Sequence, residues 1–484
     1  MSVPYWQRMY GKMPVWAQNA AISLAGLKRR RLKRGGCFRE ALAFLTKSER
    51  WSLAELTDLQ NERLRDLIRH AWDTVPYYRT LLSGLGLRPT DFRAVADLDK
   101  LPIMDRGTVR SHSSEMLSQG WPKARIVSGH TGGTTGKALK VFEDRDTWAW
   151  NWATVWRHRH RFGIKLADSF VTFGGRLGVV PLNEMRPPFW RRNYLDGQTY
   201  VSVHHMTVPN MRPLVDYLTG RSVAFYCGYP SALYLVAKYL LENDIRLVDP
   251  PRCVITNSET LLPHQARAIQ VALGTQMGDL YGQTEHCGII SQCEAGRYHV
   301  DMEFGIVELL PVKDAPPNLR RIVCTGLRNP VMPLIRYDTG DLATISSTPC
   351  PCGRESPCVE RIDGRIESYV VTPDGRQLGR MDHLFKEASG IEEAQFVQHT
   401  VHDLTVKLVR GKAYTERAER AFMADLRALV GDAIRITVEP VDDIPRNANG
   451  KFRQVISHVA ASPGDTPPFE DSHVLRQQAG GRAA

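Results

Sequence analysis

The chain has 484 residues, of which 43% are hydrophobic and 24% charged, the balance of an ordinary soluble protein with length for about three domains or one large domain and an appendage. No apolar run is long enough to span a bilayer, and nine cysteines, an odd number, argue against a disulfide framework and for thiols or metal in a reducing compartment such as the cytoplasm. A net charge of +11 suits anionic partners, among them ATP, CoA, phospholipid and nucleic acid, without choosing between them.

Residues 1–120 read as a largely helical entry region. Val15 to Leu27 is apolar and is followed by the basic run Lys28 to Arg34. A secretory signal would place the charges first, so the segment is expected to be a surface helix with a solvated basic end, in preference to a contact with an anionic membrane. Leu53, Leu56, Leu59, Leu64 and Leu67 have the spacing of a helix with one buried face.

The segment Ser128-Gly129-His130-Thr131-Gly132-Gly133-Thr134-Thr135-Gly136-Lys137 holds four glycines, hydroxyls and a lysine. Glycines let the backbone turn its N–H groups onto an anion, and hydroxyls and an ammonium add donors and charge, so this loop is built for phosphate. It is not a Walker loop, because Thr131 and Ala138 stand where that motif needs glycine and Ser or Thr. Ala138 to Phe142 is short and β-leaning, which predicts strand-loop-strand.

Asp144 to Gly163 is predicted as a helix, with Asp144 at its cap and Trp148, Trp152, Val155 and Trp156 on one face. His158 and His160 near its end are expected on a solvated face. Strands are predicted at Ser169–Phe173, Val223–Cys227, Cys253–Thr256 and Gln276–Leu280, alternating with helices, one of which starts at Pro230. That alternation implies an α/β architecture with parallel strands and functional loops at their carboxyl ends.

Asn257-Ser258-Glu259 and Tyr281-Gly282-Gln283-Thr284-Glu285 fall at two such ends. The second combines an aromatic face, a hydroxyl and a carboxylate, groups suited to a purine, a phosphate and Mg2+. Asp341, in Arg336-Tyr337-Asp338-Thr339-Gly340-Asp341, can accept both hydroxyls of a ribose. Gly364-Arg365-Ile366-Glu367 and Pro445 to Lys451 follow, the latter a flexible turn presenting one lysine. Cys350-Pro351-Cys352 is a tight thiolate pair, and Cys293 and His299 lie upstream; together they make a tetrahedral set of the kind zinc takes in structural sites, with Cys287 and Cys358 as spares.

In this order the motifs resemble the signatures of the adenylate-forming superfamily, which includes acyl-CoA synthetases and adenylation domains. Gly228-Tyr229-Pro230-Ser231, Thr372 to Arg376 and Ile391 to Gln395 are similar to the phenylacetate-CoA ligase-like family, especially its branch associated with capsular polysaccharide loci. Zinc-bearing members of that family have a similar Cys-x-Cys-Gly-Arg segment. The resemblance implies a large multi-sheet N-terminal domain, residues 1–366, a small mobile α+β domain at 367–460, and a disordered tail at 461–484.

By position it implies that Ser128 and Thr131, Gly132, Gly133, Thr134, Thr135, Gly136 and Lys137 hold the β and γ phosphates, and that Tyr281 and Gly282 lie on adenine bordered by Ser258 and Glu259. Thr284 would touch the α-phosphate, Glu285 Mg2+, and Asp341 and Arg365 the ribose, while Lys451 would meet the reacting carboxylate. Glu367 stands where the family has a hinge aspartate. The acid pocket is expected near Phe173, Gly174, Tyr229, Gln283 and His286. The implied activity is ATP-dependent activation of a carboxylic acid followed by transfer to CoA. The rival is an adenylate-forming transferase passing the acyl group to an amine, a hydroxyl or a carrier protein. No basic stripe interleaved with aromatics supports a nucleic-acid partner, and the sequence leaves a homodimer open.

Overall fold

The structure is a computed structural model, and it describes residues 5–130, 139–174, 179–181, 183–261, 263–312, 317–346, 348–363, 370–374, 377–378, 381, 384, 390–411, 414–442, 444 and 455–459. Helices α1 (Tyr5–Lys12), α2 (Val15–Arg34), α3 (Phe38–Ser48), α4 (Leu53–Thr74), α5 (Pro76–Gly84) and α6 (Arg106–Ser111) form the entry region. Ser52 and Glu55 close a capping box at the start of α4, and Leu56, Leu64 and Leu67 of the predicted face are buried with Ile68, whereas Leu53 at the first turn is exposed and Leu59 half-buried.

The strands β1 (Ile126–His130) and β2 (Lys140–Asp144) pair antiparallel, so the flanks of the glycine-rich loop are strand-loop-strand. Helix α7 (Arg145–Arg161) then starts at Asp144, whose Oδ1 accepts the Thr147 N–H at 2.8 Å. Next come β3 (Phe170–Gly174), β4 (Trp190–Asn193), β5 (Gln198–Ser202), α8 (Val208–Thr219), β6 (Phe225–Gly228), α9 (Pro230–Glu242), β7 (Cys253–Asn257), α10 (Pro263–Leu273) and β8 (Gln276–Gly282). The run closes with β9 (Ile289–Gln292), β10 (Tyr298–Val300), β11 (Gly305–Pro311), β12 (Leu319–Gly326), β13 (Tyr337–Ile345) and β14 (Cys358–Ile362).

Twelve of these strands form one sheet in the order β11-β12-β13-β14-β10-β9-β8-β7-β6-β3-β5-β4. From β8 through β7, β6 and β3 to β5 the neighbours are parallel, and α8, α9 and α10 make the crossovers. Leu214, Leu218, Leu233, Val236, Ala237, Leu240, Ile269 and Leu273 of these helices are buried against Val171, Phe173, Tyr226 and Val254 of the sheet. The other half is antiparallel. The described N-terminal part thus has one continuous sheet and the separate β1–β2 hairpin.

A second unit holds β15 (Val370–Val371), β16 (Gln377–Leu378), β17 (Ile391–Thr400), β18 (Asp403–Arg410), α11 (Glu416–Val430), β19 (Arg435–Val441) and β20 (Val455–Ser457). Its four-stranded sheet runs β19-β18-β17-β20, and Phe422, Leu426, Leu429 and Val430 of α11 pack on Phe396, Leu404, Val406 and Leu408. This is the α+β composition that the resemblance implies for the small domain.

Two expectations need correction. His158 is wholly buried and His160 half-buried, not solvated, because α7 is enclosed by α2 and α3 on one side and the sheet on the other. Burial, and then the charge of Arg161 and Arg159, push the His158 pKa well down, so its imidazole is neutral. Arg157 on the same helix reaches Asp301 and Glu303, and Arg161 reaches Glu49 and Asp301. Burial raises the Glu303 carboxyl, but the Arg157 guanidinium outweighs it and holds the group below the usual range. The basic end of α2 is not simply solvated either. Lys33 lies over the Trp152 ring at 3.7 Å and Arg34 over Trp156 at 4.7 Å, and burial lowers the Lys33 pKa to about 8.

Candidate active site and metal centre

The carboxyl ends of the parallel strands gather most of the polar motif residues. At the end of β6, Gly228 has φ +143° and a Cβ there would lie 1.9 Å from the Phe173 carbonyl oxygen, so only glycine lets β6 close against β3 at this point. The next residue, Tyr229, donates its N–H to that same carbonyl at 3.0 Å. The Phe173 ring itself is wholly buried and stands edge-on to Tyr226 in the core. After β7, Ser258 takes a left-handed conformation with φ +73°, and Glu259 Oε2 accepts the Ser231 N–H at 3.3 Å at the start of α9. A carboxylate at a helix start is held by the unpaired N–H groups there.

β8 delivers Tyr281 beside Asp341 of β13, although 60 residues separate them in the chain. The Tyr281 hydroxyl donates to Asp341 Oδ2 at 2.9 Å. Burial and then the Asp341 charge push the Tyr281 phenol well up, so it remains a donor. Asp341 is fixed by a turn in which Gly340 has φ +75° and donates to Asp338 Oδ1, while the Asp341 N–H donates to Thr339 Oγ1 at 3.1 Å.

The turn after β8 carries Gln283, Thr284, Glu285 and His286. Thr284 is exposed; Glu285 is buried, and its Oε1 accepts the Tyr337 hydroxyl at 2.9 Å. Gln283 is half-buried, with Nε2 at 3.5 Å from the Cys324 sulfur and Oε1 accepting the Gly288 N–H at 3.4 Å. His286, at φ +47°, places Nδ1 2.6 Å from the buried Glu143 Oε2 and its ring edge-on to Trp148.

Glu143 was not singled out from the sequence, and Trp148 only as part of a helix face, because nothing local pairs either with His286; the sequence separation of 143 between Glu143 and His286 is closed by the fold. The pair matters because Glu143 is on β2. Gly129 of β1 also faces this turn: a Cβ there would be 3.5 Å from Thr284 Cγ2. The hairpin that carries the phosphate-type loop is therefore clamped to the Thr284–His286 turn. Ser128 and Gly129 are in the described hairpin, whereas Thr131, Gly132, Gly133, Thr134, Thr135, Gly136, Lys137, Arg365, Glu367 and Lys451 lie outside the described residues.

About the end of β9 a second cluster forms. The ligand atoms of Cys293, His299, Cys350 and Cys352 all lie within 4.8 Å of one another. The sulfurs of Cys293 and Cys350 are 3.6 Å apart, and Cys352 Sγ is 3.3 Å from His299 Nε2. An ion about 2.3 Å from each of two thiolates at a tetrahedral angle separates them by about 3.8 Å, so the spacing fits zinc. His299 Nδ1 is 3.2 Å from the Ser356 carbonyl oxygen, to which it donates, and this leaves Nε2 as the lone-pair nitrogen toward the sulfurs. Cys287 lies in the core away from the set, and Cys358 on β14 is not one of the four. Arg354 ties this loop to Glu49 and Glu294.

Comparison with known proteins follows the same outline. The family profile described as the CapK C-terminal domain matches residues 370–458. Protein CapK of Staphylococcus aureus is 23% identical over 463 residues, covering 93% of this chain and 99% of CapK. A phenylacetate-coenzyme A ligase of Thermus thermophilus is 23% identical over 444 residues, covering 83% and 96% of the two chains. Among solved structures, a 2-hydroxyisobutyryl-CoA ligase in complex with 2-HIB-AMP and CoA has a TM-score of 0.55 at 18% identity, covering 85% of this chain and 92% of that one. The relatives, with the fold, support an acyl-CoA ligase-like enzyme with a large α/β domain and a small C-terminal one. Within that class, the chain is similar along most of its length to CapK and to a phenylacetate-coenzyme A ligase, and its C-terminal part matches the CapK C-terminal domain.

Proposed function

We propose that the chain activates a carboxylic acid with ATP, releasing pyrophosphate and forming an acyl-adenylate, and then passes the acyl group to the CoA thiol with loss of AMP. The observation that carries this reading is the junction of Tyr281, Asp341 and the β1–β2 hairpin at the carboxyl end of β8. It puts a ring, a carboxylate and the flanks of a phosphate-type loop at one strand end.

In this proposal the Tyr281 ring lies on adenine, bordered by Ser258 and Glu259, and Asp341 accepts from the ribose hydroxyls with Arg365. Ser128 and the segment Thr131 to Lys137 hold the β and γ phosphates. Thr284, exposed on a turn that His286 and Glu143 hold rigid, donates to the α-phosphate. Glu285 suits Mg2+, which takes one or two carboxylates plus phosphate oxygens and water; among the described residues Tyr337 donates to its Oε1. When bound, the metal neutralises phosphate charge.

An acid oxygen attacks the α-phosphorus and the bond to the bridging oxygen of pyrophosphate breaks, with Lys451 neutralising charge that develops in between. No general base is needed, because the acid arrives ionised. The small domain beginning near residue 367 would carry Lys451 to and from the site. Zinc at Cys293, His299, Cys350 and Cys352 would be a closed structural clip joining the turn after β9 to the loop before β14, without a catalytic role.

A pyrophosphate-release screen over aryl, hydroxy and amino acids, with and without CoA, tests the proposal. Release that depends on one acid, and continues to turn over only with CoA, supports it. Turnover with an amine, hydroxyl or carrier protein but not CoA points to a transferase, and no acid-dependent release defeats the adenylation reading.

A further inference from the structure

Helix α2 buries a polar face. Its buried positions are Gln18, Asn19, Ser23 and Gly26, all polar or small. Arg191 Nε donates to Gln18 Oε1, the Arg192 N–H to Asn19 Oδ1 at 2.9 Å, and the Tyr194 N–H to Ser23 Oγ at 3.0 Å. A Cβ at Gly26 would meet the Asn193 amide at 2.5 Å, so the helix approaches β4 closely through that glycine. The protein-facing side is thus held by hydrogen bonds, not by the apolar stripe usual for a surface helix.

An apolar stripe lies beside this hydrogen-bonded face. Trp16, Ala20, Leu24 and Leu27 follow at intervals of four, four and three residues, which places them along one face, and all are exposed, Trp16 by 73% and Leu24 by 70%. Met9 and Met13 extend the exposed set toward α1, and Tyr194 and Leu195 lie beside Ser23 and Arg30 at its flank. Single exposed apolar residues are ordinary, but a contiguous stripe rimmed by polar groups marks a contact surface.

Charge selects the occupant. Residues 1–39 contain nine lysines and arginines, Arg8, Lys12, Lys28, Arg29, Arg30, Arg31, Lys33, Arg34 and Arg39, and no aspartate or glutamate. Lys12, Lys28 and Arg31 are exposed at the two ends of the stripe. A second copy of the chain is a poor partner, because two-fold pairing of this face sets basic ends against basic ends with no carboxylate on α1 or α2.

We infer that this face rests on the surface of an anionic phospholipid bilayer. Trp16, Leu24 and Leu27 enter the boundary between headgroups and acyl chains, and Lys12, Lys28 and Arg31 meet the phosphates. The helix lies in the plane of the membrane, and no described helix is long and apolar enough to cross it.

Flotation of the full chain with vesicles tests this. The chain should float with mixed phosphatidylcholine and phosphatidylglycerol, not with phosphatidylcholine alone, and raised salt should release it. Trp16→Glu with Leu24→Glu should weaken partition by roughly tenfold or more, and Lys28→Glu with Arg31→Glu likewise, at unchanged thermal midpoint because all four side chains are exposed. Failure to float with anionic vesicles overturns the inference, as does flotation that these substitutions do not reduce. A dimer that Trp16→Glu dissolves, in a chain that ignores vesicles, would make a second copy the occupant and also overturn it.

Discussion

If Asp341 accepts from the ribose, its removal should erase discrimination between ATP and 2′-deoxy-ATP. The carboxylate is half-buried, its backbone is fixed by the Thr339–Gly340 turn, and Oδ2 already accepts from Tyr281. The two oxygens of a carboxylate offer about four acceptor sites, so accepting from Tyr281 is compatible with accepting from a ribose hydroxyl as well. A hydrogen bond to a charged group is worth about 1.5–3 kcal/mol, so the wild type should lose roughly 10- to 150-fold in kcat/KM when the 2′-hydroxyl is missing. In Asp341→Ala that ratio should fall to about threefold or less, while kcat/KM for ATP itself drops by a similar 10- to 150-fold. Tyr281→Phe keeps the ring and removes the hydroxyl, so its deoxy discrimination should stay within about fivefold of wild type. The assay is acid-dependent pyrophosphate release with each nucleotide, with thermal midpoints recorded to exclude misfolding. Equal discrimination in wild type and Asp341→Ala would show that the ribose is held elsewhere, and the site assignment would fall.

Three further outcomes follow from the same geometry. The purified chain should hold about one zinc, measured by elemental analysis; Cys352→Ser should abolish most of it and lower the thermal midpoint, whereas Cys358→Ser should leave the zinc unchanged. Burial pushes the Asp279 carboxyl up to about 6 against the hydrogen bonds from Thr256 and Tyr298, above an unfolded value of about 3.9. Its contribution to stability is therefore full below about pH 4 and is lost as the pH rises through about 6. Asp279→Asn should flatten that part of the stability profile by up to about 3 kcal/mol, as read by denaturant titration across pH, and an unchanged slope would refute it. Lys451→Ala should cut adenylation by about 100- to 1,000-fold yet spare thioester formation from a synthetic acyl-adenylate, and equal loss in both half-reactions would count against a two-conformation mechanism.

How much of this was legible in the sequence depended on whether the partners were local. The parallel strands were, because apolar runs such as Cys253–Thr256 and Gln276–Leu280 are bounded by turn residues and separated by periodic helices, and the structure keeps all four within three residues of their expected bounds. The α7 cap was equally local. The metal cluster was legible because the Cys350–Cys352 pair and the Cys293–His299 spacing reduce it to two short segments, which the sheet brings together.

Burial of charge was not legible. The basic end of α7 looks solvated until Asp301, Glu303 and Glu49 close on it from more than a hundred residues away. The same holds for Glu143 and His286, and for α2, whose inward face is polar because the edge strand β4 offers it backbone and arginine donors. In each case local composition gave the side chains their chemistry, and a distant segment decided which way they faced.

The central claim concerns which bond of ATP is broken. It is tested most directly by single turnover with an acid labelled with heavy oxygen in its carboxylate, followed by mass spectrometry of the phosphorus products. Attack at the α-phosphorus predicts one heavy oxygen in AMP and none in pyrophosphate. Label in inorganic phosphate, with ADP as the nucleotide product, would mean attack at the γ-phosphorus and would contradict the account.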